Sequence, residues 1–249
     1  MPTSVVDTFS RFLYRPLGWV YGFPELCAQQ RGLIAGSKRI SNPGCYPTGF
    51  VALTRPLVDA GLLPPGTPLT VHAVSGYSGG GKALIKVFES EPHEPWGGYG
   101  YNMKHKHLPE MSKWSNLGKS PVFSPAVGDF AQGMVVTVPL HYSQLATPGG
   151  ATGVGAKLHD ALAAHYATSA FVTVMPLNDT QHLERGAFLR PDAVNGTNSL
   201  QLFVFADDGA GSAMLCARLD NLGKGASGAA VQNLNLALGF PENAGLTKA

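Results

Sequence analysis

Cys45 lies in the run Ser41-Asn42-Pro43-Gly44-Cys45-Tyr46-Pro47-Thr48, a setting in which a cysteine can act as a nucleophile. Asn42, Pro43 and Gly44 are turn formers, and Phe50, Val51, Leu53 and Leu57 follow at roughly helical spacing. Cys45 is therefore expected at a turn-to-helix junction, where unpaired N–H groups and the helix dipole favour a thiolate. The plainer alternative is a small, inert, buried cysteine. What lies downstream weighs against it.

Ser75-Gly76-Tyr77-Ser78-Gly79-Gly80-Gly81-Lys82 reads as a glycine loop between a strand and a helix, an arrangement that presents N–H groups and a lysine to an anion. Gly76 to Lys82 has the spacing of a Walker loop, but Ala83 stands where that loop needs Ser or Thr for magnesium, which disfavours a nucleotidase. His105-Lys106-His107-Leu108-Pro109-Glu110 offers two general acid/base candidates and a carboxylate that could orient a ring or titrate itself. A His-x-His pair can also bind metal, but no third and fourth ligand accompany it, so no metal is expected. Val127 to Met134 reads as a loop entering a strand. Asp220-Asn221-Leu222-Gly223-Lys224-Gly225-Ala226-Ser227-Gly228 is a second glycine run ahead of a helix, where a ligand can approach backbone N–H groups closely.

These residues need a frame. Strands are expected at Leu69–Val74, Met134–Val138, Phe171–Met175, Leu200–Phe205 and Ala213–Arg218. Helices are expected after Cys45, bent or restarted at Pro56, and over Ala83–Glu89, Ala156–Ala167 and Gly228–Leu238. Glu91 to Tyr101 reads as a loop rich in Pro, Gly and aromatics, and Met1 to Pro16 carries no clear period. Strands separated by one or two helices describe an α+β domain with a substantial sheet.

At 249 residues, 44% hydrophobic and 14% charged, the chain can bury a sizeable core. A net charge of +2 with scattered basic residues excludes a nucleic-acid footprint. The cysteines Cys27, Cys45 and Cys216 form no disulfide framework, and neither a signal peptide nor a membrane-spanning run is found. The expected setting is cytoplasmic.

Together the motifs resemble the N-acetyl-gamma-glutamyl-phosphate reductases, more closely the shorter bacterial form. Trp19 to Leu26, Ser41 to Thr48, Ser75 to Lys82, His105 to Glu110, Gly128 to Met134 and Asn221 to Asn233 carry the likeness, in the family's order. The resemblance implies an NADPH-dependent reduction of N-acetyl-glutamyl 5-phosphate to the 5-semialdehyde in arginine biosynthesis, through a Cys45 thioester. His107 would be the acid/base, with His105 as the fallback and Glu110 as partner. Ser75, Gly76, Ser78, Gly79, Asn221, Lys224, Gly225 and Asn233 would border NADP, and Asn42, Lys82 and Gly128 the substrate phosphate. The implied fold is the mixed or antiparallel sheet of the catalytic and dimerisation domain of semialdehyde and glyceraldehyde-phosphate dehydrogenases, and the implied assembly a homo-oligomer. No G-x-G-x-x-G turn follows a strand in the first 44 residues, so residues 1–44 read as a remnant of the Rossmann domain. Residues 45–218 then read as the catalytic and dimerisation domain, and 219–249 as a C-terminal helix that packs on the nucleotide-binding domain. Three alternatives stand beside this: an inactive oligomerisation module, a thiol hydrolase working without cofactor, and a related semialdehyde dehydrogenase.

Overall fold

The computed structural model describes residues 18–90, 92–146 and 152–249. The segment Met1 to Pro16, for which no element is expected, lies outside them. The first elements are β1 (Val20–Tyr21), α1 (Gln30–Ala35) and β2 (Ile40–Ser41), with β1 and β2 paired in parallel. Then follow α2 (Cys45–Asp59), β3 (Thr70–Gly76), α3 (Gly81–Ser90), β4 (Trp96–Gly98), α4 (Leu108–Trp114), β5 (Val122–Gly128) and β6 (Met134–His141). The chain ends with α5 (Val154–Tyr166), β7 (Val172–Val174), β8 (Leu200–Asp207), β9 (Ser212–Leu219), a π turn over Gly223–Ser227 and α6 (Gly228–Leu238).

Seven strands form one mixed sheet in the order β4-β5-β3-β6-β9-β8-β7. The β3–β5 and β7–β8 pairs are parallel and the others antiparallel. The α+β expectation holds. Alternation along the central strands sends Val136, Val138, Leu202, Val204, Leu215 and Ala217 to one face, where they form a single core with Phe50, Val51, Leu53 and Leu57 of α2 and Leu158 and Leu162 of α5. Each large side chain buried there stabilises the fold by about 1.5–3 kcal/mol relative to exposure.

Proline accounts for two departures from the sequence reading. Helix α2 runs unbroken through Pro56. Proline cannot donate to the Ala52 carbonyl one turn back, but the Tyr166 hydroxyl of α5 donates to that oxygen at 2.9 Å. Strand β5, read as a loop in its last residues, contains Pro125 at its centre. The Pro125 carbonyl accepts from Tyr99 N–H at 3.0 Å, on the β4 side. The N–H that proline lacks would face that same side, beyond the end of β4, so no ladder bond is lost. Short elements α1, α4 and β4 also went unforeseen, β4 within the expected loop 91–101.

Candidate active site

Cys45 is the first residue of α2, as expected, with Gly44 as the N-cap. The Gly44 carbonyl accepts the first helical bond from Thr48 N–H at 3.0 Å, and Pro47 falls in the first turn, where its missing N–H would have no intrahelical partner. The backbone N–H groups of Cys45 and Tyr46 do favour the thiolate, as does the Lys106 cation. Burial outweighs them and pushes the Cys45 thiol up to about 11. The expected thiolate is therefore a neutral thiol in the free protein.

The Cys45 side chain opens on a cavity of about 510 Å³. Its lining includes Tyr46, Ser75, Gly76, Ser78, Gly79, Tyr99, His105, Lys106, His107, Asn221 and Gly225. These residues come from five separate stretches of sequence. Cys45 and Tyr46 start α2; Ser75 to Gly81 leave the carboxyl end of β3; Tyr99 follows β4; His105 to His107 lead into α4; Asn221 to Ala226 follow β9.

Both histidines expected to matter are here. The His107 ring packs against Gly44: a Cβ on that glycine would lie 2.5 Å from His107 Nε2, so only glycine lets the imidazole come this close to the turn bearing the thiol. His107 is buried, its Nδ1 has no hydrogen-bond partner among the described residues, and burial, with His105 and Lys106 nearby, lowers its pKa to about 3. His105 is partly exposed, and its Nδ1 accepts the His107 backbone N–H at 3.1 Å. The rings of Tyr46 and Phe123 stand edge-on to His105 at 5.9 and 5.0 Å, and burial lowers its pKa as well. Burial thus disfavours the charged form of both rings, and His107 is neutral near pH 7.

Glu110 does not orient a histidine. Its Oε1 accepts from the Gly44 N–H at 2.9 Å and from the Tyr21 hydroxyl at 2.8 Å, so it grips the turn before Cys45. Burial raises its pKa to about 7. On the opposite wall, Asn221 Oδ1 accepts from Gly133 N–H at 2.7 Å while its Nδ2 donates to Ser78 Oγ at 2.9 Å, fixing that hydroxyl at the cavity edge.

Five other residues assigned to ligands lie elsewhere. Lys224 is fully buried and ion-paired to Glu25 at 2.7 Å, away from the cavity lining. Asn233 Nδ2 donates to the Gly22 carbonyl and to Asn42 Oδ1, and Asn42 Nδ2 donates to the Ala226 carbonyl. These two asparagines stitch the Cys45 turn to α6. Lys82 is exposed on the first turn of α3, and Gly128 ends β5 against the Phe130 ring. Neither is among the cavity-lining residues.

Three of the lining residues with polar side chains were not singled out from sequence. Tyr46 and Lys106 adjoin residues that were. Tyr99, in the aromatic loop, donates its hydroxyl to Tyr46 Oη at 3.1 Å. Their signal is adjacency alone.

Residues 45–221 match the family described as semialdehyde dehydrogenase, dimerisation domain. The chain is 52% identical over 237 residues to N-acetyl-gamma-glutamyl-phosphate reductase 2 of Nostoc sp., covering 92% of this chain and 72% of that protein. It is 49% identical over 239 residues to the N-acetyl-gamma-glutamyl-phosphate reductase of Rhizobium etli, covering 94% and 74%. Among solved structures, aspartate semialdehyde dehydrogenase II of Vibrio cholerae, in complex with ASA, superposes with a TM-score of 0.63 at 16% identity, covering 92% of this chain and 70% of that one. The Francisella tularensis aspartate semialdehyde dehydrogenase gives 0.60 at 14%, covering 89% and 72%. At that identity the likeness is one of fold. With a cavity opening on Cys45 beside this sheet and half its residues shared with those relatives, the chain belongs to the N-acetyl-gamma-glutamyl-phosphate reductase family of oxidoreductases, which work with a nicotinamide cofactor.

Proposed function

We propose that this protein catalyses the NADPH-dependent reduction of N-acetyl-L-glutamyl 5-phosphate to the 5-semialdehyde, releasing phosphate, as a step of arginine biosynthesis. The observation that carries the reading is the meeting of Cys45, His107 and the β3 glycine loop around one cavity. Cys45 Sγ attacks the acyl carbon as His107 takes the thiol proton, and the two charges so created stabilise each other in a low-dielectric site. Phosphate leaves, and a thioester remains on Cys45. The imidazolium of His107 then supplies a proton to the oxygen of the reduced carbon, and collapse regenerates the thiol. Lys106, exposed at the cavity and cationic, suits the phosphate end of the substrate.

The cofactor's nicotinamide supplies hydride to the thioester when bound. The residues present fit a flat ring: Gly76, Gly79, Gly80, Gly81, Gly225 and Ala226 give the cavity walls without bulky side chains. A Cβ on Gly79 would crowd Ser75 Oγ at 3.0 Å, so glycine suits that stretch of wall. We assign the nicotinamide end to Ser75, Gly76, Ser78, Gly79, Asn221 and Gly225, and NADP as the cofactor.

The parallel β1–α1–β2 unit supports reading residues up to 44 as part of a nucleotide-binding domain, with the catalytic domain over 45–218. Exposed Val231, Leu234, Leu238 and Phe240 on and just after α6 suit packing of residues 219–249 against that domain. The sheet face opposite the helices carries a row formed by exposed Pro139 and Met214 and half-buried Phe205, in register across β6, β9 and β8. We assign this face to a homo-oligomer contact, in keeping with a dimerisation domain. Among the described residues no helix is long and apolar enough to cross a membrane, and we place the protein in the cytoplasm.

The test is phosphate-dependent oxidation of N-acetylglutamate semialdehyde with NADP. Wild-type protein should turn over, Cys45→Ser should lose at least about a thousandfold in kcat, and His107→Asn about a hundredfold or more. Full activity in Cys45→Ser would end the thioester mechanism. Turnover of acyl phosphate without nicotinamide would favour a hydrolase.

A further inference from the structure

The chemistry above leaves a buried ion pair unused. Lys224 and Glu25 are both buried, at 0% and 3% exposure. Lys224 Nζ donates to Glu25 Oε1 at 2.7 Å and to Gln232 Oε1 at 2.6 Å, while Gln232 Nε2 donates to Glu25 Oε1 at 2.8 Å. The ammonium also sits 5.6 and 5.7 Å from the ring centroids of Phe23 and Phe171. The cluster thus closes a triangle between the segment after β1, the π turn and α6.

Two of those segments bear directly on Cys45. The residue after Lys224 is Gly225, where a Cβ would stand 2.9 Å from Cys45 Cβ, so the π turn lays bare backbone against the nucleophile. On the other side, Gly22 N–H donates to the Ser41 carbonyl at 2.8 Å, tying the segment that carries Glu25 to the strand that runs into the Cys45 turn. A rare π turn at a functional site fits a backbone shaped for that contact.

Stability alone does not account for such a pair. Desolvating two buried charges costs several kcal/mol each, and apolar residues of similar volume often hold a fold as well or better. A triangle of short hydrogen bonds gives direction, which apolar packing does not.

We propose that Glu25, Lys224 and Gln232 are positioning residues for Cys45: their triangle holds the Gly223–Ser227 turn at the depth that seats the Gly225 backbone on the nucleophile. The inference takes Cys45 as the reactive group, as in the proposed function, but its primary test needs no turnover.

The test is the double variant Glu25→Leu with Lys224→Met, which removes both charges together. The rate of Cys45 alkylation by iodoacetamide at pH 8, followed by peptide mass spectrometry, is compared with wild type alongside the thermal midpoint. A loosened seat admits water, lowers the thiol pKa and raises the alkylation rate about tenfold for each pKa unit recovered. The expected result is at least a fivefold faster alkylation at a thermal midpoint within a few degrees of wild type. Reductase turnover should show kcat reduced about tenfold with KM unchanged. An alkylation rate equal to wild type in the folded double variant overturns the proposal, whatever the turnover. Faster alkylation where wild-type protein shows no reductase activity would retire the reductase reading and leave this one standing. Should the double variant not fold, Gln232→Met, which keeps the ion pair, carries the same comparison: faster alkylation supports the triangle and an unchanged rate overturns it.

Discussion

Glu110 shows how one buried carboxyl can serve a neighbour's geometry. It grips Gly44 N–H and Tyr21 Oη and sits where its pKa rises to about 7, against an ordinary value of 4.5. The folded state therefore holds this proton more tightly than the unfolded chain. Its contribution to stability is complete below about pH 4.5 and is lost as pH rises through about 7. Replacing Glu110 with Gln should flatten the fall in stability between those pH values, a change on the order of 3 kcal/mol. Urea unfolding at pH 4.5 and 7.5 measures it, and an unchanged slope would show that Glu110 ionises as freely in the fold as outside it. The gathering of Cys45, His105 and His107 at one cavity was legible because each residue type stands out within a short motif. The burial of Lys224 was not: its partner Glu25 lies 199 residues away, and a lysine between two glycines looks the same whether it meets a phosphate or a carboxylate.

At the level of elements, α2 depends on a hydroxyl from another helix. Tyr166→Phe leaves the Ala52 carbonyl buried and unpaired while sparing the aromatic packing. The loss should be about 1–3 kcal/mol. It should appear as a lower urea midpoint at unchanged m-value, and a midpoint equal to wild type would mean that α2 tolerates Pro56 without help. The same contact explains why the helix outran the sequence reading. Proline's cost is local and visible in sequence, whereas its compensation comes from a tyrosine 114 residues further along. Strands β3, β6, β8 and β9 were legible because their apolar runs are long and lie between turn formers. β4 has only three residues, and β5 carries a proline whose harmlessness depends on where its neighbour stops.

Across the whole molecule, α2 and α5 cover one face of the sheet, and on the other the loop after β7 covers Phe203 and Cys216 with Met175 and Leu189. Beside that cover, Met214 remains 51% exposed in the row with Pro139 and Phe205. A charge there should cost little in the monomer and much in a contact between copies. Met214→Asp is therefore expected to move the protein to a smaller species in sedimentation velocity, with the far-ultraviolet spectrum unchanged. A distribution identical to wild type would place the contact elsewhere.

The sheet order has a consequence for synthesis. The central β6–β9 pair joins strands from the middle and the end of the chain, and the backbone that presses on Cys45 follows β9. A ribosome delivers residues from the amino end, and contacts of this separation form late. The cysteine therefore emerges long before the residues that house it, and the cavity it opens on is complete only once the segment after β9 has been made.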